Sequence, residues 1–165
     1  MENIETFHLP RWDQLPNIDL YMDQILTYIE DSLGRYIILD ENEKLITKTM
    51  INNYVKQDVI KPPINKKYNK LHLAELFVIC ILKEIYSIND IKKLIELALK
   101  TSTPENVYNK FCNVFEKTLT STFKKNYKRN KEKETSQEEY LLKNVVQSYV
   151  NKLYVQLVYL KKESD

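Results

Sequence analysis

The sequence holds a single glycine, Gly34, among 165 residues, and that scarcity removes several chemistries at once. A Walker-type phosphate loop needs two glycines in one short loop. The dinucleotide fingerprint needs three, and the nucleophile elbow needs one on each side of its serine. None of these motifs is present. Tight two-residue hairpins draw on glycine for positive φ, which disfavours a sandwich or barrel built on many such turns. Cysteine is equally sparse. Cys80 and Cys112 lie far apart, each in a helical apolar pattern, and read as buried thiols of a reducing compartment. With no C-x-x-C or H-x-x-x-H spacing, no zinc site is expected. The acidic cluster Asp40, Glu41 and Glu43 lacks the central glycine of a calcium loop. His8 and His72 are the two histidines, and neither stands near a cysteine or serine in a nucleophile pattern. His72, three residues after Asn69 in the first turn of a helix, reads as a capping or packing residue. No enzymatic activity, metal or cofactor is therefore expected.

Long hydrophobic runs are missing too. The longest, Leu76 to Leu82, is far short of a membrane span, and no signal peptide is visible, so a cytoplasmic protein is expected. Arginine is rare, 3 against 22 lysines, a bias that makes any single lysine weak evidence of function. The overall balance, 43% apolar and 29% charged, is that of a globular chain. Net charge is +2 but unevenly spread. Residues 1–43 carry 2 basic and 10 acidic groups, residues 44–100 carry 11 and 5, and residues 101–165 carry 12 and 8. Within residues 44–70, 7 lysines face Asp58 alone, the densest basic stretch of the chain.

The periodicity predicts a mainly α protein of five or six helices. An extended segment through Asn17 holds Pro10 and Pro16, with Leu9, Trp12 and Leu15 as anchors. A helix follows over 19–33, with Gly34 as a left-handed C-terminal cap. Tyr36 to Leu39 is a possible short strand. Thr47 caps a helix through about Gln57, and Asp58, tolerant of the left-handed region, stands just past its end. Residues 61–68 form a basic loop around Pro62-Pro63. Asn69 caps a helix apolar nearly all round, Ser87 caps the next, and Thr103-Pro104 opens a longer one to about Lys128. A charged linker, 129–137, leads to a last helix in which Val146, Val150, Leu153, Leu157 and Leu160 step by four, three, four and three. That seam of about two heptads either pairs two chains, giving a homodimer, or closes a C-terminal helical hairpin. The divisions expected are an acidic strap and helix (1–43), a central region (44–100) and a C-terminal helical region (101–165).

The central region carries the functional signal. On the helix after Thr47, Ile51, Tyr54 and Val55 define an inward face. The remaining positions, Lys48, Thr49, Asn52, Asn53 and Lys56, are compact polar groups and cations with no carboxylate among them. An ordinary solvated helix mixes Glu with Lys. Asn can bond adenine N6 and N7, Thr can meet a thymine methyl, and Lys can reach guanine or phosphate. Lys61, Lys66 and Lys67 in the adjoining loop would then contact backbone phosphates. Helix, turn, basic loop and buried helix is the order of a winged helix-turn-helix reader. The competing reading is a Lys/Asn-biased surface helix on a helical domain. Trp12 is either a partner anchor or part of a strap on the domain's own surface. Tyr108, Phe111, Phe115 and Phe123 either form core or line an effector pocket.

The runs Thr47-Lys-Thr-Met-Ile-Asn-Asn-Tyr-Val-Lys, Val59-Ile60-Lys61-Pro62-Pro63, Tyr68-Asn-Lys-Leu-His-Leu and Ser87-Ile-Asn-Asp-Ile resemble the DNA-binding half of MerR-type regulators. The resemblance implies a recognition helix packed by Ile51 and Tyr54, with Lys48, Thr49, Asn52, Asn53 and Lys56 facing DNA. Lys66, Lys67 and Tyr68 would lie in the wing. The sequence departs from that pattern at Asp58, where a glycine is usual, in a wing tip without glycine or arginine, and in a long connection between the first two helices. The runs Leu9-Pro-Arg-Trp-Asp-Gln-Leu-Pro-Asn-Ile-Asp-Leu-Tyr-Met-Asp-Gln and Met50-Ile-Asn-Asn-Tyr-Val-Lys resemble, over roughly residues 7–115, the bacterial family of the domain of unknown function 1836, which implies no activity. The expectation is a MerR-like winged helix-turn-helix core that binds double-stranded DNA and regulates transcription. The alternative is a helical protein-interaction adaptor. The expected absences extend to membrane partners, and no small-molecule effector is named by the sequence.

Overall fold

The computed structural model describes residues 6–34 and 43–132, together with residues 144, 147–148, 151–152 and 154–160. Two compact units divide the chain, Met1–Glu116 and Lys117–Asp165. The described elements are mainly helical: β1 (Leu20–Tyr21), α1 (Met22–Leu33), α2 (Lys48–Lys56), β2 (Lys67–Tyr68), α3 (Lys70–Leu82), α4 (Ile88–Leu99) and α5 (Pro104–Glu132).

The starts of α2, α3, α4 and α5 each follow from a capping residue that the sequence places there. Thr47 Oγ1 accepts the Met50 N–H at 3.1 Å, Ser87 Oγ the Asp90 N–H at 3.1 Å, and Thr103 Oγ1 the Asn106 N–H at 3.3 Å. Each bond satisfies a backbone donor that has no partner within the helix. Pro104 occupies the first position of α5, where its missing N–H costs nothing. Asn69 and His72 close a reciprocal box: Asn69 Oδ1 accepts the His72 N–H (3.2 Å), and His72 Nδ1 accepts the Asn69 N–H (3.1 Å). The other ring nitrogen, Nε2, donates to the Lys61 carbonyl at 3.0 Å. Burial pushes the His72 pKa below its ordinary value, so the ring is a neutral capping residue, as the sequence reading held.

Gly34 differs from its expected role. Its φ of −57° and ψ of −29° are right-handed, and its N–H continues the helix onto the Glu30 carbonyl. The reason for glycine is close approach: a Cβ there would sit 2.7 Å from the Glu30 carbonyl oxygen and 2.6 Å from its carboxylate. The left-handed positions fall elsewhere, at Asp58 (φ 54°), Asn65 (φ 50°) and Lys66 (φ 62°).

Ile25, Ile29 and Leu33 from α1, Ile51 and Tyr54 from α2, and Leu73, Leu76, Phe77, Ile79 and Cys80 from α3 form the core, with Ile91 and Tyr108 beside them. Phe77 meets Tyr28 edge-on at 6.1 Å and Tyr108 at 6.4 Å. Cys80 and Cys112 are free and buried, and burial lifts the Cys80 thiol to about 12, so both behave as small apolar groups.

The N-terminal segment is a strap on its own unit. Leu9 and Leu15 are fully buried. The Tyr108 hydroxyl donates to the Pro10 carbonyl (2.8 Å), the Trp12 N–H to Asn109 Oδ1 (2.9 Å), and the Leu9 N–H to Glu116 Oε1 (2.7 Å). Arg11 forks onto both oxygens of Glu116 at 2.8 and 2.6 Å. Burial alone would raise the Glu116 carboxyl, but Arg11 and the Leu9 N–H outweigh it and hold it below the ordinary value. Trp12 packs on Tyr108 with ring centroids 6.4 Å apart.

In the second unit the described residues are helical and end in a π-helical turn, Gln156–Leu160. Residues 129–132 belong to α5, so the charged linker begins later than expected. Val146, Val150 and Leu153 of the heptad seam, and the possible strand at Tyr36 to Leu39, lie outside the described residues.

Candidate nucleic-acid interface

α2 presents two adjoining ridges to solvent. Lys48, Asn52 and Lys56 follow at four-residue steps, with Thr49 and Asn53 beside them, and all five are exposed. Ile51 and Tyr54 are buried on the opposite side, as the periodicity requires. Burial lifts the Tyr54 phenol to about 12.

The helix ends in a Schellman turn. The Val59 N–H reaches the Tyr54 carbonyl at 2.9 Å and the Asp58 N–H the Val55 carbonyl at 3.0 Å, with left-handed Asp58 between them. Glycine is usual at such a position, and Asp takes it because its short polar side chain tolerates that region. Val59 and Ile60 are buried behind the turn, so the chain leaves α2 in a defined direction.

Beyond Pro62-Pro63 the basic loop is a tight hairpin. Ile64 and Lys67 exchange both backbone hydrogen bonds, at 3.0 and 2.9 Å, around the two-residue tip Asn65-Lys66. Both tip residues have positive φ, the signature of a type I′ turn. The absence of glycine did not prevent the turn, although Lys66 is held in a conformation that costs a residue with a Cβ about 1–2 kcal/mol. The hairpin is extended by β1, which pairs antiparallel with β2, Leu20 opposite Tyr68 and Tyr21 opposite Lys67. Tyr21, Lys67 and Ile64 thus lie in one cross-strand row. The Lys67 ammonium stands 4.9 Å from the Tyr21 ring centroid, and Ile64 is 67% exposed. α1 packs against both α2 and β2, so helix and hairpin share one support.

Lys61 and Lys66 are exposed and Lys67 is half-buried. Tyr68 is placed differently from the other expected contact residues. It is 3% exposed and meets His72 edge-on at 5.3 Å, so its ring packs the base of the hairpin.

The structure brings carboxylates into this surface that chain order did not show. Asp23, in the first turn of α1, lies 2.6 Å from Lys48. Asp58 receives Lys61 and Lys92, each at 3.2 Å. The Lys92 and Lys61 ammonium groups hold the Asp58 carboxyl below its ordinary value. These pairs are exposed and worth little to stability. Their effect is on the field: of the five lysines expected to contact DNA, Lys48 and Lys61 already face a negative charge.

Among the described residues, no group of three His, Cys, Asp or Glu side chains is placed to hold a metal ion. No helix among them is long and apolar enough to cross a membrane.

Searches of curated proteins and of solved structures return no match. One family model, the domain of unknown function DUF1836, matches residues 10–111. That span takes in the strap from Pro10 onward, the small sheet, α1 to α4 and the start of α5, and so the chain belongs to the DUF1836 family.

Proposed function

We propose that the protein is a sequence-specific, DNA-binding transcriptional regulator in which α2 enters the major groove and the 61–67 hairpin grips the phosphate backbone. The observation that carries this reading is the exposed face of α2, whose own residues include no carboxylate, set on the same support as a hairpin whose tip is a lysine in the left-handed conformation. Strained backbone persists where surrounding structure enforces it, and it gathers at functional sites. Lys66 at the tip extends a cation beyond the sheet, as phosphate contact requires.

The order of elements also favours the reading. A helix ending in a left-handed turn, a hairpin closing at Tyr68 and two further helices follow one another as in the MerR-type winged helix. α1 would be the first helix of the motif, joined to α2 by 14 residues (34–47) in place of the turn of about four residues usual in a helix-turn-helix. Asn52, Asn53, Thr49 and Lys56 would address base edges, and Lys61, Lys66 and Lys67 phosphates. Regulators of this kind bind as two-fold dimers with recognition helices about one DNA turn (~34 Å) apart, and the C-terminal helices would supply that contact.

A second reading, a protein-interaction adaptor, is favoured by the exposed apolar groups around the sheet, Ile18, Tyr21 and Ile64. One comparison separates the two. Asn52→Ala should lower affinity for a selected duplex by about 1–3 kcal/mol and leave binding to unrelated duplex unchanged. Lys66→Ala should weaken both alike. If neither substitution alters duplex binding, the DNA reading fails and the adaptor stands.

A further inference from the structure

α3 is apolar on nearly every side because two different environments meet it. One side faces the core. The other, with Leu71, Ala74, Val78 and Leu82, faces a partly open cavity of about 660 Å³ walled by α4 and the start of α5. That volume lies within the range of small-molecule sites, about 300–1,000 Å³. Leu94 and Ile95 of α4 and Phe111 of α5 complete the apolar wall.

One group in this wall does not belong to a purely apolar space. Glu75 stands on the cavity stripe of α3, between Leu71 and Val78. Its Oε2 is buried with no hydrogen-bond partner among the described residues. Buried polar atoms in folded proteins are nearly always paired, and an unpaired carboxylate is among the costliest exceptions. We infer that the α3–α4–α5 cavity is a binding site for a small amphipathic amine, whose apolar body fills the cavity and whose ammonium group pairs with the Glu75 carboxylate.

The surroundings define the head group. α4 presents no titratable side chain to the cavity, α5 presents Lys110 and the Tyr108 phenol, whose hydroxyl already donates to the Pro10 carbonyl, and Thr101, Ser102 and Asn106 are uncharged. Lys61 is the charged group that acts on Glu75 from the hairpin side, and it already holds Asp58. Burial lifts the Glu75 carboxyl to about 7, so near neutral pH it is poised between its acid and its carboxylate. An arriving ammonium favours the carboxylate, and the carboxyl proton passes to the buffer. At pH 7 about half a proton is released per amine bound. The site shares no residue with the α2 and hairpin surface, so the inference stands whether or not that surface binds DNA.

Octylamine, 1-octanol and octanoate, which share one apolar length, test the inference by calorimetric titration into the full chain. The titrations are run at pH 7 in two buffers of different ionisation enthalpy. Octylamine should bind at least tenfold more tightly than 1-octanol, with proton release, and octanoate should bind least. Glu75→Gln, nearly isosteric, should abolish both the amine preference and the proton release while 1-octanol binding persists. Ala98→Phe, which fills the cavity from α4, should remove binding of both probes. Equal affinities for amine and alcohol, an amine preference that survives Glu75→Gln, or no heat from any probe would overturn the inference.

Discussion

Replacing Glu75 by glutamine keeps the side chain's shape and removes its charge, and the result should depend strongly on pH. The carboxyl has an ordinary value of 4.5 and is raised to about 7 in the folded chain, chiefly by burial. A raised folded value means that its stabilising contribution is full below the unfolded pKa and is lost as pH rises. The loss begins near pH 4.5 and is complete just above pH 7. A shift of this size corresponds to roughly 3 kcal/mol at about 1.36 kcal/mol per unit. Glutamine cannot ionise, so the variant should match the parent at pH 4.5 and exceed it by roughly 3 kcal/mol at pH 8. For a domain of this size that is a rise in Tm of about 10 °C. His72 acts in the opposite direction on the acid side. Its folded pKa is depressed, so stability is lost as pH falls below 6.5, and the substitution leaves that limb unchanged. Urea denaturation of both chains between pH 4.5 and 9 reads the difference directly. Two curves that run parallel across that range would show that burial does not raise the Glu75 carboxyl.

Other perturbations follow from the same geometry. Lys66→Gly should stabilise the chain by about 1 kcal/mol in thermal or urea unfolding, because glycine takes the left-handed tip without strain. On the DNA reading, the same change should weaken binding to every duplex alike. Asp58→Asn keeps a residue that tolerates the left-handed turn and releases Lys61 and Lys92 from their shared carboxylate. Duplex affinity by fluorescence anisotropy should rise about twofold to fivefold, and unchanged affinity would place this edge outside the interface. Thr47→Ala removes the side-chain cap of α2 and should cost about 1 kcal/mol in urea unfolding. Phe77→Ala empties the centre of the core and should cost about 3–5 kcal/mol by the same measurement.

What the sequence made legible was local. Thr47, Asn69, Ser87 and Thr103 cap their helices because a cap depends on residues three positions apart, and that spacing is written in the chain. Asp58 turns as expected for the same reason. Gly34 misled because a glycine at a helix end suggests positive φ, whereas here it is needed for a close approach to Glu30. The hairpin tip was hidden by the reverse assumption, since Asn65 and Lys66 adopt positive φ without glycine. Long-range pairs were not legible at all. Asp23 and Lys48 are 25 positions apart and Asp58 and Lys92 are 34 apart, and no periodicity links them. The first three members of the aromatic stripe of α5 divide between the two readings considered for it: Tyr108 is core and also borders the cavity, Phe111 lines the cavity, and Phe115 stacks on Phe111 and meets Phe7, whereas Phe123 is exposed and fits neither. Glu75 did leave a signal, a single carboxylate on the stripe Leu71, Glu75, Val78 and Leu82. Its burial became visible once α4 and α5 were placed against that stripe.

The central claim, that the surface of α2 and the hairpin grips DNA, is tested most directly by the salt dependence of duplex binding. Lys48, Lys56, Lys61, Lys66 and Lys67 allow three to five phosphate contacts per chain, since Lys48 and Lys61 already face carboxylates. The account predicts that log Kobs falls with log salt at a slope between about −3 and −4.5 per bound chain, and that Lys66→Ala makes the slope shallower by about 1. No measurable binding to any duplex at low salt, or binding whose slope is the same with and without Lys66, would contradict it.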